Sequence, residues 1–298
     1  MATRRLSSHR AAARLRSGRR FFVYGIRKLR HVDGTTSSPD SPPALALAAS
    51  GARTNDYAPE RASVGISDAA VIYFSMCGRF TLHTPESRIR EAFHLKQTAP
   101  LGLKPRYNIA PSQHVPIIRA TETSMEMVLA QWGLVAHWSK EPKTKYSTIN
   151  ARIESVAEKP VYRTPFKHQR CLIPADGFYE WKVVNGHKIP HHIRMRDGDV
   201  FALAGLWDRW EDEGGNLDSC SIIVMPASDV MKSLHERMPA IIAPAGYDLW
   251  LDSRITDKAE IMEHLNSALS SQLVAYPISP WVNSPKHDDE QCIRPAGS

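Results

Sequence analysis

The chain has 298 residues, 42% hydrophobic and 8% aromatic with seven Trp, enough to bury a core as one large domain or two small ones. No apolar run approaches the roughly 20 residues of a membrane-spanning helix. The four Cys (Cys77, Cys171, Cys220, Cys292) form no C-x-x-C pair, which argues against a zinc knuckle and a small disulfide scaffold and makes a reducing compartment the default.

The formal net charge of +7 hints at a polyanionic partner, but it is unevenly placed. The first thirty residues hold nine Arg (Arg4, Arg5, Arg10, Arg14, Arg16, Arg19, Arg20, Arg27, Arg30) and Lys28, with no acid. Rich in Arg, Ala and Ser and lacking the apolar middle of a secretory signal, this run fits a transit peptide, a nucleic-acid-binding arm or translated sequence upstream of the true start. Thr35 to Ala62 is Ser-, Pro-, Ala- and Gly-rich and reads as linker. Residues 1–75 are therefore expected to be a basic, disordered extension, and order is expected from Met76.

Pro85 to Phe93 predicts a helix with Thr84 as N-cap and Pro85 in its first turn. Arg106 to Pro111 reads as a turn-rich connector. Strand patterns follow at Val115–Arg119, Met125–Val135, Arg170–Pro174, Tyr179–Val184, Ile189–Met195, Val200–Trp207 and Ser221–Val224. Short helical windows lie at Ser228–Leu234, Ala245–Trp250 and Asp257–Leu269. Strands and helices do not alternate regularly, so the pattern predicts an α+β domain over 76–280, with a mostly antiparallel, barrel-like β-sheet core and flanking short helices. Residues 281–298 read as a polar tail in which Cys292 has no assigned role.

Four words mix reactive groups with turn residues: Met76-Cys77-Gly78-Arg79-Phe80, Asn150-Ala151-Arg152-Ile153-Glu154, Ala175-Asp176-Gly177-Phe178-Tyr179-Glu180-Trp181 and Leu234-His235-Glu236-Arg237-Met238-Pro239. Each has a plain alternative: Cys77 a small buried hydrophobe, Asn150 a turn residue, Arg152 and Glu154 a same-face pair on a strand, Glu180 a surface carboxylate. His235-Glu236 fails the H-E-x-x-H pattern, and His191-His192 point to opposite faces of a strand, so neither predicts a metal site. Taken together, a Cys, an Asn, a Glu and a His are the parts of covalent catalysis. A Cys at a chain terminus also offers an α-amine beside its thiol, so an aldehyde can condense to an imine that the thiol closes into a thiazolidine. With a pKa of about 7.7–8.0, such an amine is substantially neutral near physiological pH.

These words, with Tyr107-Asn108-Ile109-Ala110-Pro111 and Gln131-Trp132-Gly133-Leu134, resemble the SRAP family (SOS response-associated peptidase), the abasic-site-processing proteins, from Met76 to about Ile278. The resemblance implies a covalent thiazolidine crosslink between Cys77, freed by loss of Met76, and an abasic site in single-stranded DNA, protecting the lesion in the DNA-damage or SOS response. It implies that Asn150 holds the sugar and amine, Glu180 handles protons at the Schiff-base stage, and His235 acts as acid toward the ring oxygen. It also implies peptidase-like self-processing of the N-terminus by the same groups. Arg79, Arg152 and Arg237 are the candidate phosphate ligands. Trp138 and Pro111 are the candidates for stacking on or wedging beside bases, and Trp132 is read as core. No cofactor, metal or membrane is implied, and the expected protein is a cytoplasmic, nucleoid-associated monomer, with organellar targeting by 1–75 as the alternative.

Members of the family begin at the Met-Cys, whereas here Met1 lies far upstream. Met76 is read as the true initiator; cleavage before Cys77 and an inactive crosslinker are the alternatives. Two other functions compete with crosslinking. One is a Cys77–His235 thiol hydrolase, and the other is a non-catalytic single-stranded nucleic-acid-binding module.

Overall fold

Runs rich in Val, Ile, Leu and aromatic residues favour the pleated, half-buried surface of a sheet, and among the described residues they form thirteen strands. The computed structural model describes residues 77–96, 99–143, 147–263, 265 and 268–297. The extension expected over 1–75, and Met76, lie outside the described residues. In chain order the elements are β1 (Phe80–Leu82), α1 (Glu86–Ala92), β2 (Arg106–Ile109), β3 (His114–Ala120), β4 (Met125–Trp132), β5 (Asn150–Arg152), α2 (Pro160–His168), β6 (Arg170–Ala175), β7 (Gly177–Val184), β8 (His187–Met195), β9 (Phe201–Asp212) and β10 (Gly215–Pro226). They continue with α3 (Asp229–Lys232), β11 (Arg237–Pro239), β12 (Ile241–Ile242), α4 (Tyr247–Leu251), α5 (Lys258–Glu263) and β13 (Leu273–Pro277).

Strands β10, β4, β3, β6 and β9 close on themselves as a barrel, because β9 and β10 also pair with each other over a long hairpin. Only the β10–β4 contact in that ring is parallel. Beyond β4, the far end of β10 carries β5 in parallel on one side and β11 antiparallel on the other. A second, antiparallel sheet runs β13-β8-β7-β1-β2. Its inner face meets the barrel core where Phe80 packs edge-on against Trp132, with ring centroids 5.1 Å apart. The fold is thus α+β with a barrel-like core and short helices.

Several sequence expectations shift. Arg106–Ile109 is a strand paired with β1 rather than a turn-rich connector. Thr84 does not cap α1 with its side chain. Its Oγ1 donates to Asp176 instead, and Asp176 also accepts from the backbone N–H groups of His83 and Thr84, at 2.6 and 2.8 Å. Helix α2 was not expected; its signal is Pro160 at the first turn, and Pro165 within it masked the pattern.

The expected tail over 281–298 is also corrected, since its described part is packed. Val282 and Cys292 are fully buried with Tyr179 and Ile278 on the outer face of the second sheet. The polar stretch between them is satisfied by Arg79, just before β1, and by Asn108 of β2, whose Nδ2 donates to the carbonyls of Val282, Ser284 and His287. Hydropathy gave little sign of this, because the segment's few buried apolar side chains, Val282 and Cys292, are supplemented by hydrogen bonds to backbone carbonyls.

Gly177 opens β7 against a crowded neighbour: a Cβ there would lie 2.1 Å from His192 Nε2 and 2.9 Å from Thr81 Oγ1. Gly177→Ala is expected to destabilise the fold by about 1–3 kcal/mol through overpacking. A urea midpoint equal to wild type would show that His192 can move aside.

Candidate active site

The turn before β1 bends sharply at Cys77, whose φ of 47° lies in the left-handed region that side-chain-bearing residues avoid. This turns the Cys77 N–H toward β7, where it donates to Glu180 Oε1 at 2.9 Å. Both residues are buried, with Cys77 1% and Glu180 4% exposed. Glu180 lies on the same face of β7 as Phe178, two residues away, so strand alternation carries its carboxyl into the core side of the sheet. Burial pushes its pKa up to about 7, against the lowering effect of the Cys77 N–H. The Cys77 thiol is pushed well above its usual range by burial and then by the Glu180 charge.

A second group gathers at the far end of β10. Val224 faces Arg152 of β5 on one side and Pro239 of β11 on the other, so Asn150, Arg152 and Arg237 share one end of the sheet. Arg237 pairs with Glu154, and the plain alternative of an Arg152–Glu154 pair on one strand face does not hold, because β5 ends at Arg152. Half-buried His235 follows α3 and accepts a hydrogen bond at Nδ1 from the Arg237 N–H, 3.0 Å away. A ring nitrogen that accepts carries no proton, so the neutral imidazole holds its hydrogen on Nε2 as a donor. Trp132 joins the two groups: its ring packs on Phe80, and its Nε1 donates to the carbonyl of Ile149, next to Asn150, at 2.9 Å.

The family model described as SOS response associated peptidase (SRAP) matches residues 76–285. The chain belongs to the SRAP family. Among its relatives is the abasic site processing protein YoqW of Bacillus subtilis (strain 168), 38% identical over 221 residues that cover 73% of this chain and 99% of the relative. The abasic site processing protein HMCES of Gallus gallus is 30% identical over 263 residues, covering 74% and 78%. A crystal structure of a Bacteroides thetaiotaomicron protein superimposes with a TM-score of 0.65 at 26% identity, covering 74% of this chain and all of that one.

Among the SRAP words, the expected phosphate ligands occupy different settings. Arg152 is exposed, and Arg237 is half-buried in its ion pair. Arg79 is 5% exposed and donates to Asn108 Oδ1, the Val282 carbonyl and the Asn283 carbonyl, at 2.9, 2.8 and 3.2 Å. Its guanidinium is engaged in an internal knot, so the structure corrects its expected place as an open phosphate fork. Trp138 is 59% exposed on a turn tied down by His137 N–H to Asp208 and by Trp210 Nε1 to the Ser139 carbonyl. Pro111 is half-buried in the turn between β2 and β3, and Trp132 is fully buried, as read.

Sequence reasoning missed Asp176 as an organiser, although it lies in the same word as Glu180. It accepts from Thr81 Oγ1 at 2.6 Å as well as from the turn into α1, fastening β1 to the start of β7. The Tyr162 hydroxyl, which donates to the Asn150 carbonyl at 3.1 Å, left no signal in the sequence.

The raised pKa of Glu180 has a defined effect on stability. Below about pH 4.5 the carboxyl is protonated whether folded or unfolded. Between about 4.5 and about 7 the unfolded chain gives up the proton first, so folding stability falls as pH rises through that window, by up to about 3 kcal/mol. Glu180→Gln should lack this loss, and urea denaturation should show its advantage growing from near zero at the acid end to its full value above neutrality. Parallel pH profiles for the two proteins would contradict the burial of this carboxyl.

Proposed function

We propose that this protein processes abasic sites in single-stranded DNA by joining to them covalently through Cys77 after the bond between Met76 and Cys77 is broken. The observation that carries this reading is the Cys77 N to Glu180 Oε1 contact of 2.9 Å. That nitrogen becomes the α-amine when the preceding residue leaves, and it already has a proton-exchanging carboxyl beside it. The relatives' names, which speak of abasic site processing, point to the electrophile: the C1′ aldehyde of a ring-opened abasic deoxyribose.

In the proposed sequence, His235 Nε2–H hydrogen-bonds the ring oxygen as the sugar opens: the bond from C1′ to that oxygen breaks, the C1′ hydroxyl proton passes through water to it, and the aldehyde is left. The Cys77 amine adds to C1′, its surplus proton passes through Glu180 to the C1′ oxygen, and the resulting hydroxyl leaves as water with the remaining amine proton to give the imine. The thiol then adds across the C=N bond, sulfur to carbon and hydrogen to nitrogen, closing the thiazolidine. While the Cys77 nitrogen is still an amide, burial raises the Glu180 pKa to about 7, a setting that favours a carboxyl able to accept and return a proton near neutrality. Asn150 orients the sugar and amine, Arg152 and Arg237 hold the flanking phosphates, and Trp138 and Pro111 contact the adjacent bases. The peptidase-like step is confined to hydrolysis ahead of Cys77.

A thiol hydrolase is less well supported. Its cysteine should be a readily formed thiolate, and here burial and the neighbouring carboxyl both oppose ionisation. In the amine-first route the thiol acts only after the imine exists.

The test is a denaturing gel of protein mixed with single-stranded DNA bearing one abasic site, using one protein that starts at Met76 and one that starts at Met1. A heat-stable band is expected from the first, and from the second only if processing exposes Cys77. Cys77→Ala should abolish it while leaving noncovalent binding intact. No band from a protein whose Met76 is shown by mass to be absent would overturn the assignment. In noncovalent titrations, Arg152→Ala and Arg237→Ala should each weaken binding whatever the sequence and reduce the salt slope by about one. Unchanged slopes would remove these arginines from the DNA path.

A further inference from the structure

We propose that Arg79, with Asn108, is a positioning residue that uses the C-terminal segment as a strut for the reactive cysteine. The inference rests on the reading of Cys77 as the reacting residue. Cys77 and Gly78 span the gap between two fixed points. On one side is the Cys77 N–H bond to Glu180. On the other is Arg79, whose carbonyl accepts from the Tyr179 N–H at 3.1 Å and whose side chain reaches the segment after Ile278. A left-handed φ at a residue with a side chain persists only where its surroundings over-determine it, and Arg79 is the nearest residue that does so.

The knot is built for rigidity. Asn108, fully buried, accepts from Arg79 and returns its amide N–H groups to three carbonyls of the strut, those of Val282, Ser284 and His287. Asp288 secures the far side by accepting from the backbone N–H groups of Tyr107 and Asn108 at 2.5 and 2.8 Å and from Arg106 Nε. It thereby also covers the outer edge of β2, which would otherwise be an unpaired strand edge. Among the described residues, the Arg79 guanidinium donates to an amide oxygen and two backbone carbonyls rather than to a carboxylate. A buried arginine satisfied by carbonyls of one distant segment ties that segment's placement to the residue that carries it, and that residue lies two positions from Cys77.

Hydrogen exchange of the full-length chain, followed by mass spectrometry, tests this without relying on any reaction with DNA. Arg79→Ala and Asn108→Ala should each speed exchange of the amides from Cys77 to Phe80 by about tenfold or more while barrel strands β3, β4, β6 and β9 stay protected. Arg79→Lys should recover part of the protection. Asp288→Asn, which leaves the buried knot intact, guards against loss of fold and should give a smaller increase at the same amides. In the crosslinking assay, Arg79→Ala should slow adduct formation with its noncovalent Kd and salt slope unchanged. Unaltered exchange at Cys77 to Phe80, or a salt slope reduced by about one as for a phosphate ligand, would overturn the proposal. A uniform rise in exchange across the barrel in Arg79→Lys and Asp288→Asn would also overturn it, by reducing the knot to general stability. If wild-type protein forms no adduct, the crosslinking reading falls, while the exchange data still decide the strut.

Discussion

The hydrogen bond from the Cys77 N–H to Glu180 is the constraint around which the rest of the site is arranged. To make it, the chain accepts a left-handed backbone at Cys77 and places a carboxyl among core side chains. Each choice is unfavourable by itself. Buried without a charged partner, the carboxyl holds its proton to about pH 7, so the site contains a group that can change charge near neutrality. Carboxyls with raised pKa values cluster at functional sites, and two clusters of side chains hold this one in place.

Two devices do the holding. Asp176 gathers Thr81, His83 and Thr84 onto the start of β7, fixing where β1 runs relative to Glu180. On the face of the sheet turned away from Glu180, Arg79 and Asn108 collect the carbonyls of the C-terminal segment. Both convert buried polar atoms into fully bonded clusters, so the cost of desolvation is met by hydrogen bonds rather than by exposure. The barrel holds the second group of candidate residues. Strand β10 is long enough to pair with β9 along one stretch and with β5 and β11 beyond it, and this brings Asn150, Arg152 and Arg237 to one end of one sheet.

Much of this was legible in the residues. The apolar, β-branched runs located most of the barrel strands, and the lack of regular strand–helix alternation excluded a doubly wound sheet. The words around Cys77, Asn150, Glu180 and His235 marked the family and the candidate site before any geometry was known. Elements set by tertiary partners were less visible. The strand at Arg106–Ile109 carries too few apolar residues to show alternation, and it exists because β1 pairs with it and Asp288 covers its edge. The C-terminal segment was indistinguishable from a tail because it has few apolar residues and much of its attachment is made through main-chain carbonyls, which have no sequence.

The sequence by itself determined the fold class, the family and which reactive residue types are present, since these depend on periodicity and on short words that survive as local patterns. Only the tertiary structure decided what each group is. Glu180 is a core carboxyl rather than a surface one because strand alternation and the β1 pairing turn it inward. His235 is an Nε2–H donor because the Arg237 N–H occupies its other nitrogen. Arg79 is an internal anchor rather than an open phosphate fork because a segment two hundred residues away brings the carbonyls that claim it. Protonation, tautomer and availability are properties of surroundings, and surroundings are assembled only when distant parts of the chain meet.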